Sequence, residues 1–395
     1  MKLFNTLTQS LEVFTPIENT VRIYVCGITP YDTTHLGHAF TYVSFDTLIR
    51  YLEHKGYSIN YVQNVTDIDD DLLRKSKEVG LSWDELAQRE IEQFQHDMDA
   101  LNVRRPTVYA KATLEIPYII QLVLTLVEKG FAYERQGYVY YDVRKDPDFG
   151  GMAPQIGLND YQSMLAIANE RGNFPDDPRK NDPLDFVLWQ AQAPGEPAWD
   201  SPWGPGRPGW HIECSSMAMH FLGEQIDIHG GGADLAFPHH TCEIAQSEHA
   251  TGKAPFSRFW MHTGMVYQDG EKMSKSLGNL TLVGNLLKEY SADAIRLLLQ
   301  SHHYRYQWEC FVEDLRIAAD TASNLKRVRA MLEHTQGGED TMLRNRFHAA
   351  MDNDLNTTEA VLLLRHAARE ALDSQDLNLG AEAVRLAYVL GLTLT

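Results

Sequence analysis

Residues 21–25, Val-Arg-Ile-Tyr-Val, are apolar or β-branched at most positions and predict a buried strand. A loop carrying Gly27 and Pro30 follows, and apolar residues then recur at helical spacing over about 37–56. Residues 58–62 repeat the strand signal, and the polar turn Asn64-Val65-Thr66-Asp67-Ile68-Asp69-Asp70 leads into another helical stretch. Strands that alternate with helices predict a parallel sheet, with ligands at the carboxyl ends of its strands. Residues 83–130 read as helical, 138–143 alternate like a strand, and 146–183 are rich in Gly, Pro and Asp, which marks an excursion from the core. Short apolar segments at 225–229 and 259–266 signal a return to the sheet, and from 311 onward the pattern is helical and poor in proline. The expected fold is α/β. A Rossmann-like parallel sheet occupies 1–310, with an inserted region at about 97–183, and an α-helical domain occupies 311–395.

Composition removes several classes. With 395 residues there is ample volume for a core, so a metal, if held, serves chemistry rather than folding. The longest apolar stretch, 116–127, falls short of the ~20 residues a membrane span needs, and Gln121 and Thr125 interrupt it. The start of the chain (Met1, Lys2, Leu3, Phe4, Asn5, Thr6) lacks a basic region followed by an apolar run, so a cytoplasmic location with no membrane partner is expected. Four cysteines are too few for a disulfide framework. The net charge of −19 argues against a general binder of phosphate backbones, although it leaves room for a local basic patch.

Three constellations carry candidate chemistry. Thr34-His35-Leu36-Gly37-His38 opens the first helix, where a phosphate meets the positive end of the helix dipole and its free N–H groups. Gly37 admits close backbone approach, and His35 and His38 share a helical face. By itself this segment reads equally well as two surface histidines. The loop 270–278, Gly-Glu-Lys-Met-Ser-Lys-Ser-Leu-Gly, carries Lys272 and Lys275, suited to neutralising charge on a departing pyrophosphate and to closing over it. Finally, Cys26, Cys214, His239 and Glu243 make a chemically sensible zinc set, the last two spaced i, i+4. Singly, each reads as a buried cysteine or a capping histidine; together they form a soft site able to hold a substrate thiol and reject serine. His240 and Cys242 are near neighbours of the set, and Cys310 reads as a core thiol.

The H-L-G-H and K-M-S-K-S segments, in this order, form the paired signature of class I aminoacyl-tRNA synthetases. The chain resembles the cysteinyl-tRNA synthetase family along essentially its whole length, through Tyr24-Val25-Cys26-Gly27, the Asn64 to Asp70 turn, Asp182-Pro183-Leu184-Asp185-Phe186, 204–215 and 229–240. That resemblance implies one Zn2+ per chain on Cys26, Cys214, His239 and Glu243, with the thiol of L-cysteine on the zinc. It implies catalytic roles for His35, His38, Lys272 and Lys275. It places ATP, with Mg2+, against Thr34, Gly37, His38, Gly231, Asp234 and Lys275, with Asp234 on the ribose. It places L-cysteine against Gly27, Thr29, Thr66 and Trp210.

The resemblance is incomplete on the acceptor side. The family usually carries Pro-Thr-Val-Tyr-Asp after Cys-Gly, where this chain has Ile28-Thr29-Pro30-Tyr31-Asp32. It usually has Arg at Phe40, Lys at Asp71 and Glu at Thr241, and it continues past the point where this sequence stops. These departures, with Glu170-Arg171-Gly172, resemble a paralogue, the cysteine ligase of mycothiol biosynthesis, which joins activated cysteine to the amine of glucosaminyl-inositol. Glu243 points the other way, because that ligase generally lacks the fourth zinc ligand. The sequence reading is therefore zinc-dependent activation of L-cysteine by ATP to cysteinyl adenylate, with glucosaminyl-inositol favoured as acceptor and tRNA(Cys) as the alternative. A monomer is expected. A catalytically dead paralogue would show eroded phosphate and metal residues, and here they are intact.

Overall fold

The computed structural model describes residues 1–31, 34–273, 280–333 and 337–395, with the backbone alone at Lys272. A hairpin of β1 (Lys2–Asn5) and β2 (Ser10–Val13) precedes β3 (Thr20–Ile28), α1 (Leu36–His54), β4 (Ser58–Val65), α2 (Asp70–Val79), α3 (Trp83–Ala100), β5 (Val108–Lys111) and α4 (Ile116–Glu128). Then come β6 (Ala132–Arg135), β7 (Tyr138–Tyr141), α5 (Tyr161–Glu170), β8 (Phe186–Ala191), β9 (Gly206–Pro208), α6 (Trp210–Leu222), β10 (Ile226–Gly232), α7 (Thr241–Thr251) and β11 (Ser257–Thr263). The chain continues through β12 (Val266–Gln268), β13 (Glu271–Lys272), α8 (Val283–Leu286), α9 (Ala292–Gln300) and β14 (Trp308–Glu309) to α10 (Val312–Met331), α11 (Thr341–Met351), α12 (Thr357–Ser374) and α13 (Leu377–Val389).

The central sheet has the order β11-β10-β3-β4-β5, and every neighbouring pair is parallel. Its edge strand β5 lies inside the stretch read from sequence as helix. The reason is length: four residues after Pro106 carry too little periodicity to separate from the flanking helices. The inserted residues build a second, antiparallel sheet, β6-β7-β8-β9, that reaches from Ala132 to Pro208. α4 packs beneath it through Ile116, Ile119, Leu122, Val123 and Leu126, an i, i+3, i+4 face. No helix among the described residues is long and apolar enough to cross a membrane.

The C-terminal helices do not keep a core of their own. Leu325, Phe347, Leu364 and Leu386 belong to one apolar cluster with Val21, Phe40, Phe45 and Leu48 of the sheet and α1. A buried ion pair ties the same layers: Arg296 of α9 donates to Asp46 of α1 at 2.6 Å, and its two terminal nitrogens also reach the carbonyls of Leu101 (2.9 Å) and Leu390 (2.7 Å). Asp46 also accepts from Arg50 and from the backbone N–H of Arg104. Both partners of the pair are buried, and burial lowers the affinity of the Arg296 guanidinium for its proton.

Removing one partner of such a pair leaves an uncompensated buried charge, at about 3–5 kcal/mol. Asp46→Ala is therefore expected to lower the free energy of unfolding by about that amount. A urea titration followed by tryptophan fluorescence checks it, and a loss under about 1 kcal/mol would show that the pair does not hold the layers together.

Candidate active site

The site begins at the end of β3, where the ladder to β4 shifts register between Val25 and Ile28. There the Gly27 N–H donates to the Asn64 side chain at 2.7 Å, and a Cβ at Gly27 would lie 1.6 Å from the Asn64 carbonyl oxygen. Only glycine fits that approach. Cys26 is held beside it by Tyr42, whose hydroxyl donates to the Cys26 carbonyl at 3.1 Å. Cys214 comes from α6, whose start is fixed by a second close approach, Gly209 against the Val187 carbonyl. His239 lies in the turn before α7, where Phe237 is extended rather than helical, and Glu243 lies in the first turn of α7. The break at Phe237 precedes both residues, and His240 between them already has helical φ/ψ, so the i, i+4 pair faces one way.

Ligand atoms of Cys26, Cys214, His239 and Glu243 lie within 4.8 Å of one another, and all four residues are buried. The two sulfurs are 4.0 Å apart, Cys26 Sγ is 3.7 Å from Glu243 Oε1, and His239 Nε2 is 3.1 Å from that same oxygen. The far nitrogen of His239 meets His211 at 2.8 Å, and the Trp210 ring stacks on His239 at 4.4 Å. Behind the set, His229 Nε2 meets Glu243 Oε2 at 2.9 Å. His240 meets Cys26 Sγ at 3.3 Å and passes a hydrogen bond to His262, which meets Thr6. These outer groups orient the inner ones, as second partners of metal ligands do.

Burial, then the Cys214 thiol and the Glu243 carboxyl, push the Cys26 thiol well above its usual range. Burial likewise raises the Glu243 carboxyl, and it drives the His239 and His240 imidazoles well below theirs. Without a cation, burial disfavours the Cys26 thiolate, the Glu243 carboxylate and the charged imidazoles. A dication would favour the two anions and keep the imidazoles neutral, the forms that ligate it. The donor chemistry fits zinc.

At the opposite rim, His35 caps α1, its Nδ1 accepting from the Gly37 N–H at 3.1 Å, and its ring stacks on His38 at 3.8 Å. With Nδ1 so engaged, Nε2 carries the proton and is a donor. Both shoulders of the lysine loop are tied down here: the Leu36 N–H donates to Thr281 at 2.8 Å, the Val283 N–H to Thr34 at 3.1 Å, and the Met273 N–H to Val266 at 3.1 Å. Lys275 and the side chain of Lys272 lie outside the described residues. Gly230 and Gly231 on β10 pass close to Phe45, Leu235 and His240, and Asp234 just beyond pairs with Arg171 of the insertion at 3.6 Å.

One cavity of about 1400 Å³ joins these parts. Its wall includes Cys26, Gly27, Thr29, His35, Gly37, His38, Thr66, Trp210, Cys214, Asp234 and His239. Thr34, Gly231 and Glu243 lie behind that wall, buried. Sequence reasoning did not single out His211 and His229 as partners of the candidate ligand residues, His262 as the partner of His240, nor Asp69, which lines the cavity beside Thr29. The histidines left one signal, their position next to Trp210, Gly230 and Thr263.

Residues 13–320 match the family of class I (C) tRNA synthetase catalytic domains. The chain is 46% identical to a cysteine–tRNA ligase of Dehalococcoides mccartyi over 94% of this chain and 80% of that protein. It is also 46% identical to an L-cysteine:1D-myo-inositol 2-amino-2-deoxy-alpha-D-glucopyranoside ligase of Thermomonospora curvata, over 89% of this chain and 84% of that one. Its fold is shared with a methionyl-tRNA synthetase of Mycobacterium tuberculosis in complex with methionyl-adenylate, at TM-score 0.67 and 16% identity over 94% and 90% of the two chains. The chain thus belongs to the class I (C) tRNA synthetase family and is a cysteine-activating ligase of the class I aminoacyl-tRNA synthetase type.

Proposed function

We propose that the chain holds Zn2+ on Cys26, Cys214, His239 and Glu243, selects L-cysteine with it, forms cysteinyl adenylate from ATP, and passes the cysteinyl group to the 3′-terminal ribose of tRNA(Cys). The observation that carries this reading is the convergence of two thiols, an imidazole and a carboxyl within 4.8 Å, in the same cavity that the His35 and His38 turn lines. Zn2+ held by these residues would supply a soft Lewis acid for the substrate sulfur, which the hydroxyl of serine matches poorly. Trp210, stacked on His239, walls the thiol pocket, while Gly27, Thr29 and Thr66 line the space for the rest of the amino acid.

In the first step a cysteine carboxylate oxygen bonds to the α-phosphorus of ATP as the bond to the bridging oxygen of pyrophosphate breaks. No proton moves, so positioning and charge stabilisation dominate. His35 Nε2–H and His38 donate to phosphate oxygens, Asp234 accepts from the ribose hydroxyls, and Lys272 and Lys275 offset charge on the leaving pyrophosphate. Mg2+ accompanies the nucleotide as part of the substrate.

The sequence reading favoured the amino sugar as acceptor. Two observations move the weight to tRNA: Glu243 sits among the other three ligands, as the four-ligand set requires, and Yersinia enterocolitica has a cysteine–tRNA ligase 45% identical to this chain over 99% of it. The amino sugar keeps one specific support, the 46% identity to the Thermomonospora curvata ligase.

Cys26→Ser and Cys214→Ser are each expected to lose most of the bound zinc and to lower cysteine-dependent ATP–pyrophosphate exchange on the order of 100-fold or more. Metal analysis and exchange on the same preparations check this, and full zinc with full exchange in both variants would sink the metal assignment. For the acceptor, AMP formation with ATP, Mg2+ and L-cysteine is expected to accelerate with bulk tRNA, which becomes charged, and not with glucosaminyl-inositol. Acceleration by the amino sugar alone reverses the choice.

A further inference from the structure

The sheet order β10-β3-β4 divides the cavity into sides. Gly231 and Asp234, proposed above for the nucleotide, belong to β10 and the turn after it, and Cys26 lies at the end of the middle strand β3. On the two-step reading above, the β4 side remains for the group that attacks the adenylate. Asp69 stands there, in the turn between β4 and α2, and lines the cavity with Thr29 and Thr66. Its Oδ1 accepts from the Leu72 N–H at 2.7 Å as the cap of α2. That bond holds the carboxyl at the cavity wall, where Thr29 also stands.

We propose that Asp69 is the catalytic proton acceptor of the transfer step, taking the proton of the acceptor hydroxyl or amine as that group attacks the adenylate carbonyl. The inference rests on the two-step reading above. The acceptor's lone pair forms a bond to the carbonyl carbon, and the bond from that carbon to the phosphate oxygen breaks. AMP leaves with the electron pair, and the acceptor proton moves to the Asp69 carboxylate, from which water takes it after release. Either acceptor class must shed one proton, so the role does not depend on which is used.

The surroundings suit this task. Burial first, then Asp71 and Asp70, push the Asp69 carboxyl up to about 7, against the Leu72 N–H and Thr29 hydroxyl bonds that lower it. A base poised near the working pH is the most effective kind. The groups facing it are Asp70 and Asp71 on α2, Tyr31 after β3, Asp67 in its own turn and Glu213 on α6. Arg207 of β9 pairs with Asp70, and Arg74 with Asp71 at 2.6 Å, so the nearby cations are already engaged. Only the ionised carboxylate accepts a proton, so the transfer rate rises with pH through about 7.

Asp69→Asn keeps the helix cap, since Asn caps as well as Asp. Cysteine-dependent ATP–pyrophosphate exchange reports activation. Single-turnover transfer from enzyme-bound cysteinyl adenylate, with bulk tRNA and glucosaminyl-inositol offered separately, reports the second step on whichever is accepted. In Asp69→Asn, transfer is expected to fall about 100-fold or more while exchange falls less than about tenfold. The wild-type transfer rate is expected to show an ascending limb near pH 7 that the variant lacks. Transfer at the wild-type rate in the variant, an equal loss of both steps, or a flat wild-type transfer profile between about pH 5.5 and 9 each overturns the assignment. Absence of cysteine-dependent exchange in the wild-type enzyme overturns the two-step reading instead, and this inference with it.

Discussion

The contact between Gly27 and Asn64 is the constraint on which the cavity depends. Two parallel strands, β3 and β4, come closer than any side chain at 27 would allow, and the ladder shifts register there. That single approach sets Cys26 on the floor and, three residues later, Thr29 against Asp69 on the β4 side. The Thr66 N–H bonding back to Ile28 at 3.1 Å keeps the two strand ends together past the shift. A larger residue at 27 would separate the thiol from the rest of the site without touching any ligand.

The second constraint is the burial of polar atoms. Glu243, His229, His239 and His240 are essentially inaccessible to water, and an unpaired buried group costs about 1–3 kcal/mol or more. The chain meets this cost by linking the groups in series, from Cys26 through His240 and His262 to Thr6, and from Glu243 to His229. Such a network stiffens its members when every link is made. It adds little to stability compared with an apolar core of the same volume, so its presence follows from what the site has to bind.

These constraints explain what was readable in sequence. Strand β3 was legible as a nearly continuous apolar run, β4 and β10 through apolar residues at alternate positions, and α1 because nineteen residues give several turns of periodicity. β5 was not legible, since four residues carry no period, and the shared core of α9 to α13 with the sheet rests on tertiary packing around Arg296 that no local pattern records. Among site residues, Cys26, Cys214, His239 and Glu243 were legible as donor types, and the structure brings their atoms together. The extended Phe237 just before His239 was not, because nothing in the local pattern marks it. Asp69 was visible only as one of several acids in a polar turn, and its half-buried place in the cavity wall beside Thr29 is a property of the fold alone.

The two sides of the cavity are also held with different firmness, and this bears on how one site serves two successive reactions. On the β10 side, Asp234 is tied to Arg171 at the end of α5 by a partly exposed pair at 3.6 Å, a contact worth about 1 kcal/mol at most. On the proposed reading, ribose hydroxyls replace that partner at small cost. On the β4 side, Asp69 is anchored by its cap of α2. On the proposed reading, this anchored side meets the acceptor, where precise placement matters more because a proton has to move.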